Sequence, residues 1–430
     1  MQTELFMFPW LRQAGSGGDL RLLTLIALGT LCICPAAWSQ SQPPAAPVER
    51  SITLQQALEM AARQNLDLMA ARQRRAFALA GIRVAREIPN PNISVSVSRD
   101  PPHEGFLITQ PLELGGKRAR RTDLARQEQA LTDVEITTLE HQVRRQTREA
   151  YFSTAKAHEE TARLARVLAL SQRLLDIAKQ RFDAGDVSQL EVNQAQLEVA
   201  RAEVDLRVGR QQESVSQKQL SALLNEPAET VWKPATSLDE GSVAPALEEL
   251  VQRAYQSNAE LAHLEKELSV EQSHANLLRA QRVPDLDLSA GLDLNAPHEY
   301  NVGPKGQFAL NLPVFSRNQG ELEQSSAQQR FLELQSTAVR RTVAGEVQAA
   351  YSEWDARRSE VELYRNSLRP AAERVEQQAE ESYRAGKVNL LTVLDAQRSV
   401  QEIEKNYLES LSAMHNAFAA LEEITGTSLD

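Results

Sequence analysis

The chain has 430 residues, 42% hydrophobic, 24% charged and only 5% aromatic, with a mean hydropathy of −0.41 and a formal net charge of −11. That acidic balance argues against a nucleic-acid partner, because a phosphate backbone selects basic surfaces. Few aromatics with abundant Ala, Gln, Glu, Arg and Leu point to long helices rather than to the two or three compact domains that length alone allows.

Leu22–Cys34 is an apolar run too short to cross a bilayer as a stable helix. Arg12 and Arg21 precede it, and Ala37 and Ser39 satisfy a small-x-small cleavage rule, so residues 1–39 read as a secretory signal cut after Ser39, with Met7 an alternative start. Cys32 and Cys34 are the only cysteines, and both fall in this leader. Neither follows a small residue, so no lipoprotein cysteine is expected, and the exported chain would owe nothing to disulfides. No later stretch reaches about eighteen consecutive apolar residues, which leaves a periplasmic protein or one crossing the outer membrane as a β-barrel.

Residues 40–50, rich in Pro and Ala, read as a mobile lead-in. A first repeat is expected over residues 51–226. It opens on a helix capped by Thr53 and carrying Leu54, Leu58 and Ala61, and Pro89 and Pro91 close that helical region. The period then changes: Ile93, Val95 and Val97 alternate with Ser94, Ser96 and Ser98, as in a strand with one apolar and one polar face. Asp100–Gly105 forms a turn, and Phe106–Leu112 returns as a second strand. About 65 residues from Arg118 to Asp183 follow without proline, enough for a helix of about 100 Å. It stops at Gly185 and resumes as a second long helix, with Leu190, Leu197 and Val204 at seven-residue, coiled-coil spacing.

Residues 227–245 hold three prolines and link to a second repeat over residues 246–430. There Leu286, Leu288, Ala290, Leu292 and Leu294 alternate with Asp287, Ser289, Gly291, Asp293 and Asn295; a loop over Pro297–Gly306 and a strand over Gln307–Leu312 follow. From Gln319 to Arg384 only Pro370 interrupts a second long helix, which stops at Gly386.

The two halves repeat one another. "RFDAGDVSQLEVNQAQ" (Arg181–Gln196) is echoed by "SYRAGKVNLLTVLDAQ" (Ser382–Gln397), and Asn65, Pro89, Val143 and Tyr151 have counterparts in Asn258, Pro284, Val343 and Tyr351. Self-similarity at a fixed offset marks one unit used twice. Two strands per half cannot close a barrel and an isolated hairpin is marginal, whereas four strands with open edges invite pairing with other copies.

This layout resembles the TolC-type outer-membrane efflux family. The paired Ala-Gly turns and "QPLELGGKRARR" (Gln110–Arg121) carry the likeness over nearly all of Ser51–Gly426. The "LELGGKR" segment is similar to the CzcC-like branch, which is associated with heavy-metal export. The resemblance implies a mainly α fold with a small β part. Duplicated long-helix hairpins would form a trimeric α-barrel, and four strands per chain would contribute to a 12-stranded outer-membrane β-barrel. It implies a homotrimer in outer-membrane lipid, a periplasmic adaptor and an inner-membrane pump, with no cofactor and no enzyme activity. By position, Ala184, Gly185, Asp186, Val187 and Leu190, with Ala385, Gly386, Lys387, Val388 and Leu391, would form the tips on which the adaptor docks. Asp395 and Thr392 would stand at the periplasmic gate, with Asp186 and Lys387 as further candidates. Ser94, Ser96, Ser98, Asp287, Asp293 and Asn295 would face the lumen.

Three other signals are weaker. "GGKR" is not a phosphate loop, since Arg118 replaces Ser/Thr and Pro111 stands where the first Gly belongs; Lys117, Arg118, Arg120 and Arg121 suit a lipid headgroup level. "PHE" occurs in both hairpin loops (Pro102–Glu104 and Pro297–Glu299), yet the seven histidines lack metal-site spacing, and no bound metal is expected. No nucleophile–base arrangement points to catalysis. The rival expectations are the same duct for drugs or type I protein secretion, a periplasmic adaptor, and a coiled-coil scaffold without a pore.

Overall fold

The computed structural model describes residues 49–240 and 244–429; the expected signal sequence, both cysteines and most of the lead-in lie outside them. The first half runs β1 (Glu49–Ile52), α1 (Leu54–Gln64), α2 (Leu66–Arg86), β2 (Asn92–Val97), β3 (Glu104–Leu112), α3 (Lys117–Asp183) and α4 (Gln189–Leu223). After β4 (Val231–Pro234) the second half follows with α5 (Leu247–Ser257), α6 (Ala259–Ala280), β5 (Leu286–Ala296), β6 (Tyr300–Leu310) and α7 (Gln319–Leu363). A π turn over Tyr364–Leu368 then leads into α8 (Arg369–Arg384) and α9 (Leu390–Thr425).

The duplication is visible atom by atom. Thr53 caps α1 in a capping box with Gln56. Asn65 then ends α1 and starts α2, accepting from the backbone N–H groups of Asp67 and Leu68 and donating its amide to Leu223 O at 3.2 Å. Asn258 does the same for α6 and donates to Ile424 O at 2.9 Å. Each asparagine therefore ties a short helix to the far end of the same repeat's last helix.

The main core gathers Tyr151, Phe152, Trp232, Trp354, Phe418 and the aliphatic side chains around them. Glu49 and Arg50, expected in a mobile lead-in, instead pair in parallel with Val231 and Trp232 of the linker. Buried Tyr151 explains the correction: its hydroxyl donates to Ile52 O and accepts from Thr236 N–H, both at 3.0 Å, so one phenol holds both strands. A buried ion pair also lies in this core. Arg148 is fully buried and its Nε stands 3.1 Å from Oε2 of Glu422, itself 5% exposed. The guanidinium covers the Phe418 ring at 5.1 Å.

Pro370, at the start of α8, lacks an N–H and crowds the carbonyl four residues before it, and the π turn directly before it absorbs that conflict. The linker closes over this turn. Arg365 donates from Nε to Asp239 Oδ1 at 3.1 Å and from Nη2 to Asp239 O at 3.0 Å; the Tyr407 hydroxyl donates to the same carboxylate. Arg369 stacks on Tyr407 at 4.5 Å and bonds Glu404 at 2.8 Å. Burial pushes the Asp239 carboxyl up, but the bonds from Tyr407 and Arg365 outweigh it and hold the group below its ordinary value. A depressed carboxyl contributes stability above its unfolded pKa and loses it as pH falls through the folded one. Asp239→Asn is therefore expected to speed amide exchange of residues 236–240 at neutral pH. That difference from the parent, corrected for intrinsic exchange, should vanish only below about pH 4.

Candidate functional site

The four-stranded sheet is ordered β2-β3-β5-β6, antiparallel throughout. Its register sorts the side chains onto two faces. Val95 pairs with Phe106 and Phe106 with Leu292; Ile93 pairs with Ile108 and Ile108 with Ala290. This apolar face is open: Val95 is 72% exposed and Phe308 78%. On the opposite face Ser94, Ser96, Thr109, Asp287, Ser289, Asp293 and Lys305 come together. Thr109 and Ser289 share a hydrogen bond of 2.8 Å, and Lys305 Nζ lies 3.5 Å from Asp293. The polar groups thus find one another, while the apolar face stays exposed among the described residues.

One expected strand position is corrected. Ser98 lies beyond the end of β2, where its hydroxyl accepts from Asp100 N–H in the turn. Asn295 stays within β5 as expected, with φ 57° and no partner in β6, whose register steps from Leu294–Val302 to Ala296–Tyr300. The loop expected over Pro297–Gly306 is shorter, because β6 already begins at Tyr300; as an edge strand it tolerates Pro304. The histidines of the two "PHE" loops serve the turns, His103 through Ser98 O at 3.3 Å and His298 through φ 74°. Among the described residues no cluster of three or more His, Cys, Asp or Glu is arranged to hold a metal ion.

At the other end, both long helices close with the same device. Gly185 has φ 80°, its N–H donates to Phe182 O at 2.9 Å, and Asp186 N–H donates to Arg181 O at 2.8 Å. Gly386 has φ 69°, with its N–H to Tyr383 O and Lys387 N–H to Ser382 O, both 2.9 Å. This is the Schellman arrangement, which needs a left-handed residue. Ala184, Gly185, Asp186, Leu190, Ala385, Gly386, Lys387 and Leu391 are exposed, and Val187 and Val388 are half-buried. Thr392 is engaged locally, its N–H and Oγ1 both donating to Oδ1 of the cap Asn389. Asp395 is 63% exposed and stands 3.5 Å from Arg398.

Sequence reasoning missed what joins the tips. Tyr383 on α8 is fully buried against Leu174, Ala178, Val192 and Leu390, and its hydroxyl donates to Glu191 on α4 at 2.9 Å. Arg181 covers its ring at 5.0 Å. Burial, with Glu191 beside it, pushes the Tyr383 hydroxyl up to about 12. Arg398 reaches Glu198 at 2.9 Å, Arg173 reaches Glu380 at 3.4 Å, and Arg181 donates to Tyr383 O at 3.5 Å, so with the Tyr383–Glu191 bond four polar links bind the first helical hairpin to the second. The one available signal was a departure from the repeat: Phe182 is 39% exposed, whereas its counterpart Tyr383 carries the hydroxyl and is buried. The seven-residue stripe Leu190, Leu197, Val204 also differs from its expected place. It stays at least half exposed, while Val192, Ala195, Ala202 and Leu206 are the buried residues of α4.

None of the described helices is long and apolar enough to cross a membrane. The model of the outer membrane efflux protein family matches residues 57–226 and 250–427. Over 378 residues the chain is 28% identical to the cobalt-zinc-cadmium resistance protein CzcC of Cupriavidus metallidurans, spanning 87% of this chain and 90% of that one. OpmQ of Pseudomonas aeruginosa, a pyoverdine export outer membrane protein, is 27% identical over 258 residues, 57% of this chain and 53% of its own. Among solved structures, the CusC channel superposes with a TM-score of 0.72 at 17% identity, over 87% of this chain and 92% of that one. Both matched stretches contain a strand pair and a glycine tip, and the chain belongs to the outer membrane efflux protein family.

Proposed function

We propose that three copies of this chain form the exit duct of a tripartite efflux system for divalent heavy-metal cations. The duct would be joined by a periplasmic adaptor to an RND-type inner-membrane pump. The observation that carries this reading is that sheet and helices leave matching edges open. β2 and β6 are the outer strands, and their directions alternate so that β6 of one copy meets β2 of the next antiparallel. The helices pack in the sequence α4, α3, α9, α8, with α2 on α3 and α7 on α9. The apolar side chains left bare follow these edges: Phe77 and Val204 on α2 and α4, Phe331 and Val375 on α7 and α8. One edge thus takes the other of a neighbour, a heterologous contact that closes as a ring. Three copies of four strands give twelve, an even antiparallel count that a closed barrel needs.

In that ring the apolar face meets lipid, and Ser94, Ser96, Asp287 and Asp293 face the lumen, with Lys305 offsetting part of their charge. The glycine tips receive the adaptor, and Asp395, with Thr392, Asp186 and Lys387 nearby, borders the entrance. The duct itself performs no chemistry; the pump supplies work and selectivity. Adaptor binding opens the entrance only by preferring the open state, and the tip links set the free energy it must overcome.

The metal cargo is supported by the named role of CzcC, while OpmQ supports pyoverdine as the second reading. A clean deletion strain grown across Zn²⁺, Co²⁺, Cd²⁺, Ni²⁺ and copper, beside hydrophobic drugs and pyoverdine, separates the two. Sensitivity to metals alone, reversed by the intact gene, is expected. Sensitivity to organic compounds with unchanged metal tolerance would overturn the cargo and leave the duct.

A further inference from the structure

Where sheet meets helices, the end of α2, the end of β3 and the start of α3 enclose a cavity of about 670 Å³. Its apolar wall includes Ile88, Leu112 and Leu114, which are 63%, 38% and 39% exposed. Leu112 pairs with Leu286, and Leu286 with Leu310, in the row that ends the apolar face of the sheet. The cavity is therefore continuous with the face that suits lipid.

Its charges do not balance. Of the two carboxylates in the wall, Glu113 is held by Arg121 at 2.6 Å and Asp123 by Arg126 at 3.0 Å. Lys117 close by is engaged with Asp285 at 2.7 Å. Arg86 and Arg118 also line the cavity, are exposed, and have no carboxylate partner among the described residues. Two guanidinium groups thus remain in excess beside an apolar wall. The basic run Lys117–Arg121 is divided by function: Lys117 and Arg121 brace the junction, and Arg118 joins a residue from the preceding helix.

We propose that this cavity binds the headgroup of an anionic phospholipid, with Arg86 and Arg118 on its phosphate oxygens and the acyl chains lying along Leu112 and the apolar face. The proposal rests on the barrel reading above, which sets this junction at the membrane surface. A phosphodiester accepts forked guanidinium hydrogen bonds, and a second cation favours a headgroup without an ammonium of its own. An anionic lipid satisfies both arginines, whereas a zwitterionic one would bring a positive charge against the second.

The test uses the full-length channel extracted from membranes in mild detergent, with bound phospholipid counted per chain by native mass spectrometry. The parent is expected to retain phosphatidylglycerol or cardiolipin in preference to phosphatidylethanolamine. Arg86→Gln with Arg118→Gln should lower that retention by about tenfold or more. Arg120→Gln, which alters a neighbouring exposed arginine outside the cavity, should leave it unchanged. Equal retention by the double variant, or equal loss in Arg120→Gln, would overturn the site. Displacement of the lipid by millimolar inorganic phosphate would show a free-anion site and overturn the lipid assignment. Failure of the barrel reading is separately visible, since a chain that does not assemble or partition into membranes loses both claims at once.

Discussion

Gly386→Pro is expected to reduce export to the level of a deletion strain while the assembled protein still reaches the membrane. Gly386 holds φ at 69°, and proline fixes φ near −65°. The substitution also removes the N–H that Gly386 donates to Tyr383 O. The turn must then reopen, and with it the surface built from Ala385, Lys387, Val388 and Leu391. Damage should remain local, because the tip cluster around Tyr383 and Leu390 is separate from the main core. Gly386→Ala is the control: an added Cβ would meet only Arg181 Nη2, at 3.8 Å, so the cost is the left-handed backbone alone, about 1–2 kcal/mol. It should export nearly normally. Metal tolerance of complemented deletion strains, beside the oligomer on semi-native gels, reads both outcomes. Normal export by the proline variant would remove the tip from the account.

The second large effect is in the core. Glu422→Ala takes from the fully buried Arg148 the carboxylate 3.1 Å from its Nε, and breaking a buried pair by removing one partner costs about 3–5 kcal/mol. It also releases Leu429 N–H, which donates to Glu422 Oε1 at 2.9 Å. Arg148→Met with Glu422→Leu removes both charges and fills the volume, and should lie within about 2 kcal/mol of the parent. Thermal melting of detergent-solubilised protein should therefore rank the parent and double variant together and Glu422→Ala far below. A Glu422→Ala protein that melts like the parent would show that the pair is not what holds α3 to α9.

The sequence made periodic features legible and left hidden those that depend on a distant partner. The alternation in Leu286–Leu294, the proline-free run to Asp183 and the repeated Ala-Gly pairs each encode local geometry, and each appears in the structure. The cap at Thr53 and the equivalence of Asn65 with Asn258 were readable for the same reason. Ser98 continued an alternating pattern past the end of β2, and pattern alone carries no stop signal there. Pro304 and its flanking glycines suggested a loop, but an edge strand tolerates them. Tyr383–Glu191, Asp239–Arg365 and Arg148–Glu422 join residues 126 to 274 positions apart, and no local period announces such pairs. The stripe Leu190, Leu197, Val204 had the right period for a coiled coil, yet it stays exposed among the described residues.

The open edges make the closing test direct. The exported chain is expected to be free of cysteine, so Ser94→Cys on β2 and Gln307→Cys on β6 place two thiols on the polar face of opposite edges. A thiol-specific crosslinker applied to membranes of intact cells should give dimer and trimer bands and nothing larger in the double variant. Neither single variant should give a trimer. A ladder beyond three, or no crosslink between β2 and β6, would contradict a barrel closed by three chains.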